Sequence, residues 1–405
     1  MIVEKKVDFI KVSHYNKHRK RQDLRIIIIQ FRGGCEMKRL VKCIGIVLFL
    51  MMLCPVSYIK AEAAVLVPAS NDKSGKTDYK QISEALKNDG NIILEEGKTY
   101  YLKGTLWVES NQSITATGAT IISKTGAFRN RPKKTNYGSL NNFTIDGGIW
   151  KNKDKNGFKK SMVQFSHSKN ITIKNATIIC NYAGHAVELV ACKNVTVDNC
   201  ILKGIGKCSS SCVEEQLQID IATPITAPTV GNYGSKFVKG QTCQNITVTD
   251  CTITGGRGIC ANYASKEKKY QTKFHKNVVL RNNTITGVSA EAVALFNVLG
   301  ATVENNKIIC KSKRTGTAYS VGLHIAMFGK APSSMKKAVY KVNNNTIKGG
   351  RQGFYVYSHS SSRFGKVIAK KNKCYAKAGK SKAIQVTKQS VSKISLSKNK
   401  QYKWK

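Results

Sequence analysis

A chain of 405 residues with 41% hydrophobic side chains has enough apolar material for a long core. Its 67 lysines and arginines against 23 aspartates and glutamates leave a net charge of +44, which points to an anionic partner or a solvated basic face. No zinc-finger spacing, helix-turn-helix pattern or RNA-recognition signature accompanies that charge, so nucleic acid is set aside in favour of acidic polysaccharide or an anionic cell wall.

Residues 1–36 carry a basic stretch at 17–21 and an isolated run of isoleucines, and read as the product of an upstream start codon. Met37, Lys38 and Arg39 then open a basic segment, an apolar run follows from Ile44 to Leu53, and Ala61-Glu62-Ala63 supplies a small-x-small cleavage site. This is the pattern of a signal peptide over 37–63, its apolar run too short to cross a bilayer. The expected product is secreted or extracellular, in association with an anionic cell wall, monomeric and not inserted in a membrane. Most of the excess positive charge lies beyond the leader and belongs to the working protein.

Residues 64–405 are expected to form one domain. Helical spacing over 78–90 places Ile82, Ala85 and Leu86 on one face, as in a helix closing the open end of a stack of strands. Strand-turn-strand patterns follow in NIILEEGKTYYL, GTLWV and SITATGATIIS, and FTIDGGIW opens the regular part. From there a short β-type run ends on a polar residue and a second apolar run begins, eight times over. Aligned on that residue, Asn175, Asn199, Asp250, Asn282, Asn305, Asn344, Asn372 and Asn399 form one column, predicted to be an internal amide ladder at a turn. A basic period in the twenties with insertions is that of a solenoid, whose copies bury their apolar faces only by stacking.

A further run in each copy alternates strictly: MVQFS, AVELV, LQID, GICAN, AVALF, GLHIA, GFYVY and AIQVT. Pairs such as Val163/Phe165, Val187/Leu189 and Leu323/Ile325 point inward, which predicts one parallel sheet with a buried face. Its outward residues form columns. The central one reads Gln164, Glu188, Gln218, Cys260, Ala294, His324, Tyr355 and Gln385. Upstream in each run lie Ser161, His185, Glu215, Arg257, Glu291, Gln352 and Lys382, and downstream Ser166, Val190, Asp220, Asn262, Phe296 and Tyr357. Of the ten cysteines after the leader, Cys200 and Cys251 share a column and should stack inward as small core residues. Cys208 and Cys212 could pair with each other or with Cys243, and without a C-x-x-C pair a structural zinc site is not expected.

The Gly-rich opening, ATGATI, the IDGGIW turn and the N-[IV]-T-[IV] coils resemble right-handed parallel β-helix proteins of the pectate-lyase-like superfamily, glycoside hydrolase family 28 among them, over roughly residues 78–400. The resemblance implies an all-β, right-handed parallel β-helix. The N-x-D, D-D, G-H-G and R-x-K motifs that carry catalysis in family 28 are not intact in this chain.

Carboxylates crowd a few adjacent coils, which raises the affinity of one of them for a proton, as a general acid requires. With coils ~4.8 Å apart and outward steps of ~6.7 Å, the Cβ atoms of Glu188 and Asp220 should lie roughly 8 Å apart, within the ~6.5–9.5 Å of inverting glycosidases. The expected function is therefore a secreted polygalacturonase-like glycoside hydrolase acting on an acidic or plant-type polysaccharide, with Asp220 as acid or base, Glu188 or Glu215 as its partner and His185 tuning protonation. Arg257 would hold a uronate carboxylate, while Asn262, Tyr263, Glu291, His324, Tyr355 and Tyr357 would contact sugar. No cofactor is expected; calcium is left open, on Glu188, Asp220 and nearby carbonyls. Two other readings stand beside this one: a uronate lyase with Arg257 as base, and a non-catalytic glycan-binding surface protein in which the carboxylates form an ordinary salt-bridged face. The insertions at 205–243, 264–275 and 328–337 are expected to wall a groove over the acidic cluster.

Overall fold

A computed structural model describes residues 64–315 and 318–405, with the backbone of two short antiparallel strands, Asp8–Val12 and Leu24–Ile28. The signal peptide expected over 37–63 lies outside the described residues, as does the rest of 1–36. From residue 62 onward the chain forms one compact unit.

Three parallel sheets of 12, 11 and 10 strands make up this unit, each receiving one strand per turn of the chain. It is a right-handed parallel β-helix. Every turn drives apolar side chains inward from all three sheets, and the core runs unbroken from Val67 to Val391. Helix α1 (Lys76–Asp89) lies at the N-terminal end, with Ile82 and Leu86 buried and Ala85 packed against the core, as its spacing predicts. Buried Asp78 fastens the helix to the first turn, accepting from the backbone N–H groups of Ser70 (2.9 Å) and Tyr101 (2.7 Å).

The asparagines form three ladders rather than one. Asn175, Asn199, Asp250, Asn282, Asn305 and Asn344 all adopt positive φ, a region that asparagine and aspartate tolerate better than most residues. Their side chains are on the solvent side, where Asn199 donates to Asn175 (2.9 Å) and Asn305 to Asn282 (3.3 Å). In the last two turns this position belongs to Lys371 and Lys398. The expected single column is thus corrected: Asn372 and Asn399 fall one residue further on and belong to an inner ladder with Asn283, Asn306 and Asn345, buried up to Asn372 and half-buried at Asn399. Each amide there donates to the next at 2.8–3.0 Å. Cys200 and Cys251 continue the same column inward, as expected, with the Cys200 N–H facing Cys251 Sγ at 3.4 Å. A third ladder, Asn142, Asn170, Asn194, Asn245 and Asn277, runs along the outer start of the first-sheet strands, each residue again at positive φ. All ten cysteines of 64–405 are free thiols.

Candidate functional site on the third sheet

The ten-stranded sheet carries the alternating runs in the expected register. Gln164 lies beside Glu188, Glu188 beside Gln218, Gln218 beside Cys260, and the column continues through Ala294, His324 and Tyr355 to Gln385. Ser161 pairs with His185 and Glu215 with Arg257 on one side of it, and Val190 with Asp220 on the other. Glu188 and Asp220 are one coil and one outward step apart.

Instead of walling an open groove, the insertions lie down on this face. Residues 221–242 cover the Val190–Asp220 column with a second apolar cluster of Val190, Ala191, Ala222, Ala227, Val230, Phe237 and Val238. Tyr263, just before the 264–275 insertion, and Phe328, at the start of the 328–337 insertion, stack in parallel at 3.8 Å over Cys260, Ala294, Phe296 and Ala326. Tyr270 Oη donates to the Val238 carbonyl at 3.2 Å and ties two of the insertions together. The Asp220 side of the acidic cluster is therefore roofed.

Asp220 is fully buried. Its Oδ1 accepts from Asn262 Nδ2 at 3.1 Å, and its Oδ2 has no hydrogen-bond partner. Burial, with the nearby charges of Glu188 and Glu215, pushes this carboxyl well above the usual carboxylate range. Asn262 is in turn held through its carbonyl, which accepts from His275 Nε2 at 2.9 Å, while His275 Nδ1 accepts from the Cys243 N–H at 3.0 Å. Burial holds the His275 imidazole down at about 4.

Glu188 is buried, its Oε2 accepting from Ser161 Oγ and from Gln164 Nε2 (2.8 Å); Gln164 reaches on to Thr229 of the roof at 3.1 Å. His185 is partly exposed and donates through Nδ1 to the Glu215 carbonyl at 2.7 Å, with Glu215 Oε2 3.7 Å away. Arg257, expected to receive a substrate carboxylate, is itself buried between two carboxylates: Nη1 donates to Glu215 (2.7 Å), and Nε and Nη2 to Glu291 (3.0 Å each). Burial alone would lower the Arg257 pKa, but the neighbouring Glu291, Cys260 and Glu215 outweigh it and hold the guanidinium charged. The same guanidinium, with His324, keeps Glu291 below its ordinary value against the opposing effect of burial. His324 Nδ1 lies 3.4 Å from Glu291, its Nε2 has no partner, and its ring stacks on Tyr355 at 5.2 Å. Tyr355 stacks on Tyr357, which is exposed.

The sheet thus gathers Asp220, Glu188, Glu215, His185, Arg257, Glu291 and Asn262 on neighbouring coils, while Tyr263 joins the roof and Tyr355 and Tyr357 lie toward the C-terminal end. Among the described residues, no group of three or more histidine, cysteine, aspartate or glutamate side chains is arranged to hold a metal ion. The sequence reading missed the N-terminal extension of the central column: Arg129 pairs with Gln164, and Trp107 with Arg129. The strands Leu106–Trp107 and Phe128–Arg129 are two residues long, too short for alternation to show.

No family model matches the chain. It is 23% identical over 263 residues to plasmin and fibronectin-binding protein A of Streptococcus pneumoniae, covering 57% of this chain and 36% of that one. The chain thus spans about a third of the length of the curated relative it matches. Among solved structures it is similar to PfbA, a surface adhesin of Streptococcus pneumoniae, at a TM-score of 0.53 and 15% identity over 84% of this chain and 92% of that one. A second structure of that adhesin gives a TM-score of 0.50 at 14% identity, over 84% and 99% of the two chains. At these identities the likeness is one of fold, the right-handed parallel β-helix.

Proposed function

We propose that this chain is an exported, surface-associated β-helix protein that binds anionic glycan without cleaving it. One observation carries the reading. Among the described residues five acids, Asp78, Glu188, Glu215, Asp220 and Glu291, are buried, whereas Arg257 is the only buried lysine or arginine. The solvent-facing surface is therefore more cationic than the composition alone suggests, and a surface of that kind concentrates and holds polyanions. The signal-peptide pattern and the fold likeness to a surface adhesin support placement outside the cell.

Asp220 supports a second reading, hydrolysis. A carboxyl shifted toward its neutral form, with Glu188 across the next coil and one oxygen unpartnered, has the chemistry of a general acid awaiting a glycosidic oxygen. Substrate would reach it only if residues 221–242 lifted from the sheet. The lyase reading gains no support, because a guanidinium kept charged between Glu215 and Glu291 is no base.

The test is chromatography of residues 62–405 on immobilised polygalacturonate and on a neutral polysaccharide, with reducing ends and unsaturated-uronate absorbance followed in solution. Salt-sensitive retention on the acidic matrix alone, with neither product signal, is expected. New reducing ends that disappear in Asp220→Asn would overturn the binding-only reading in favour of hydrolysis.

A further inference from the structure

A cleft lies at the N-terminal end of the third sheet, three coil steps before Glu188. It encloses about 460 Å³ and is lined by Trp107, Glu109, Arg131, Lys133 and Lys134 among others. That volume falls in the range of small-ligand sites. Trp107 is 39% exposed, whereas Trp150 is completely buried in the core. The exposed part of the Trp107 indole, in the lining of the cleft, offers apolar ring surface to a ligand.

The polar groups around the indole are cationic. The Arg131 guanidinium lies over the Trp107 ring, 5.1 Å from its centroid, and has no ion-pair partner among the described residues. Lys133 is bound to Glu109 at 2.8 Å on the rim, which leaves Lys134 and Arg131 as the uncompensated charges of the lining. One coil on, in register with Trp107, Arg129 keeps a buried Nε–H without a hydrogen-bond partner. Three coil steps, roughly 14 Å, then separate Trp107 from Glu188 along the same column.

An aromatic platform flanked by a planar, unpaired guanidinium matches one ligand chemistry: a sugar ring, whose C–H face packs on indole, bearing a carboxylate or sulfate that accepts from arginine. We infer that the Trp107–Arg131 cleft is a recognition subsite for an anionic sugar ring. The inference rests on the glycan-binding reading above and locates its specific contact, where bulk charge supplies only attraction.

Two measurements test it, calorimetry and tryptophan fluorescence, on residues 62–405 with a galacturonate oligomer, a sulfated oligosaccharide and a neutral one of equal length. Quenching by the anionic ligands is expected, and response to only one of them names the anion. Trp107→Ala should weaken binding by about tenfold or more, as loss of a central aromatic contact does. Trp107→Phe should abolish quenching while keeping calorimetric affinity within about threefold, which separates a lost contact from a lost fold. Arg131→Gln should weaken the anionic ligands and bring them level with the neutral one. Unchanged affinity in Trp107→Ala, or equal binding of the neutral oligosaccharide by the unaltered protein, overturns the subsite. If retention on polygalacturonate persists in that case, only the subsite fails; if the unaltered protein is not retained at all, the glycan-binding reading fails with it.

Discussion

Acid should loosen the roof of the third sheet through one histidine. His275 has no exposed surface, and both its ring nitrogens are engaged in a way that admits a single neutral tautomer. Nε2–H donates to the Asn262 carbonyl, and Nδ1 accepts from the Cys243 N–H. A proton on Nδ1 would face that N–H directly and break the bond, while burial penalises the charge. The imidazole is held down at about 4 from an ordinary 6.5. A depressed folded-state value favours the neutral ring, so this contribution is fully present above pH 6.5 and is lost as pH falls through about 4. At about 1.4 kcal/mol per pH unit the difference amounts to about 3 kcal/mol. The assay is urea unfolding of residues 62–405 and of His275→Gln between pH 7.5 and 4. The variant loses at least one of the two hydrogen bonds and should be less stable at pH 7.5. The gap should close by about 3 kcal/mol by pH 4, the titration of carboxylates common to both proteins cancelling in the difference. Stability curves that stay parallel across this range would refute the argument.

Other perturbations test other parts of the frame. Arg257→Met leaves Glu215 and Glu291 buried without their cation and should cost about 3–5 kcal/mol, read as a fall in the denaturant midpoint that is smaller at acid pH, where the freed carboxylates protonate. Asn345→Ala removes a residue whose amide accepts from the Asn306 N–H and donates to the Val303 carbonyl and to Asn372; it should cost about 3 kcal/mol by the same measurement. Asp220→Asn should be neutral or stabilising at pH 7. The raised value of Asp220 means that its carboxyl favours folding below the ordinary carboxylate pKa and loses that contribution as pH rises, so the variant's advantage should grow toward neutral pH.

The fold was legible because its periodicities are short and local. Strict alternation in runs such as AVELV and GLHIA placed the central column of the third sheet in its observed register from Gln164 to Gln385. The asparagine ladders were legible only in part, since neighbouring positions in one turn carry the same residue type. At 282–283, 305–306 and 344–345 one asparagine takes the αL turn and the next the buried ladder. Where lysine takes over the turn, at Lys371 and Lys398, alignment on asparagine slips by one. What the roof does was not legible at all. Pattern reveals that a strand residue points away from the solenoid core, but whether water or a loop lies beyond it depends on contacts such as the apolar cluster that joins Phe237 to Val190 and the bond from Tyr270 to Val238, which link distant segments of irregular chain.

That distinction decides the functional reading. In a bare solenoid the outer face of a sheet is solvated, and carboxylates placed there would remain ionised and available. Here the acids are withdrawn from solvent, Asp220 beneath the roof, and two physical responses follow. Glu291 keeps its charge beside Arg257, whereas Asp220, with one oxygen unpartnered, is held toward its neutral form. Each carboxylate withdrawn in this way leaves the lysine-rich exterior less compensated. The same insertions that make hydrolysis on the third sheet depend on an opening movement therefore strengthen the attraction for a polyanion. The two readings place opposite demands on one structural feature, and measuring cleavage and salt-sensitive retention in a chain lacking residues 223–240 would separate them. Removing the roof exposes Asp220 and Glu188 and also deletes Lys236 and Lys239, so retention should weaken by more than in a Lys236→Gln, Lys239→Gln variant that keeps the roof. If retention instead rises, the buried acids are not what leaves the surface so cationic.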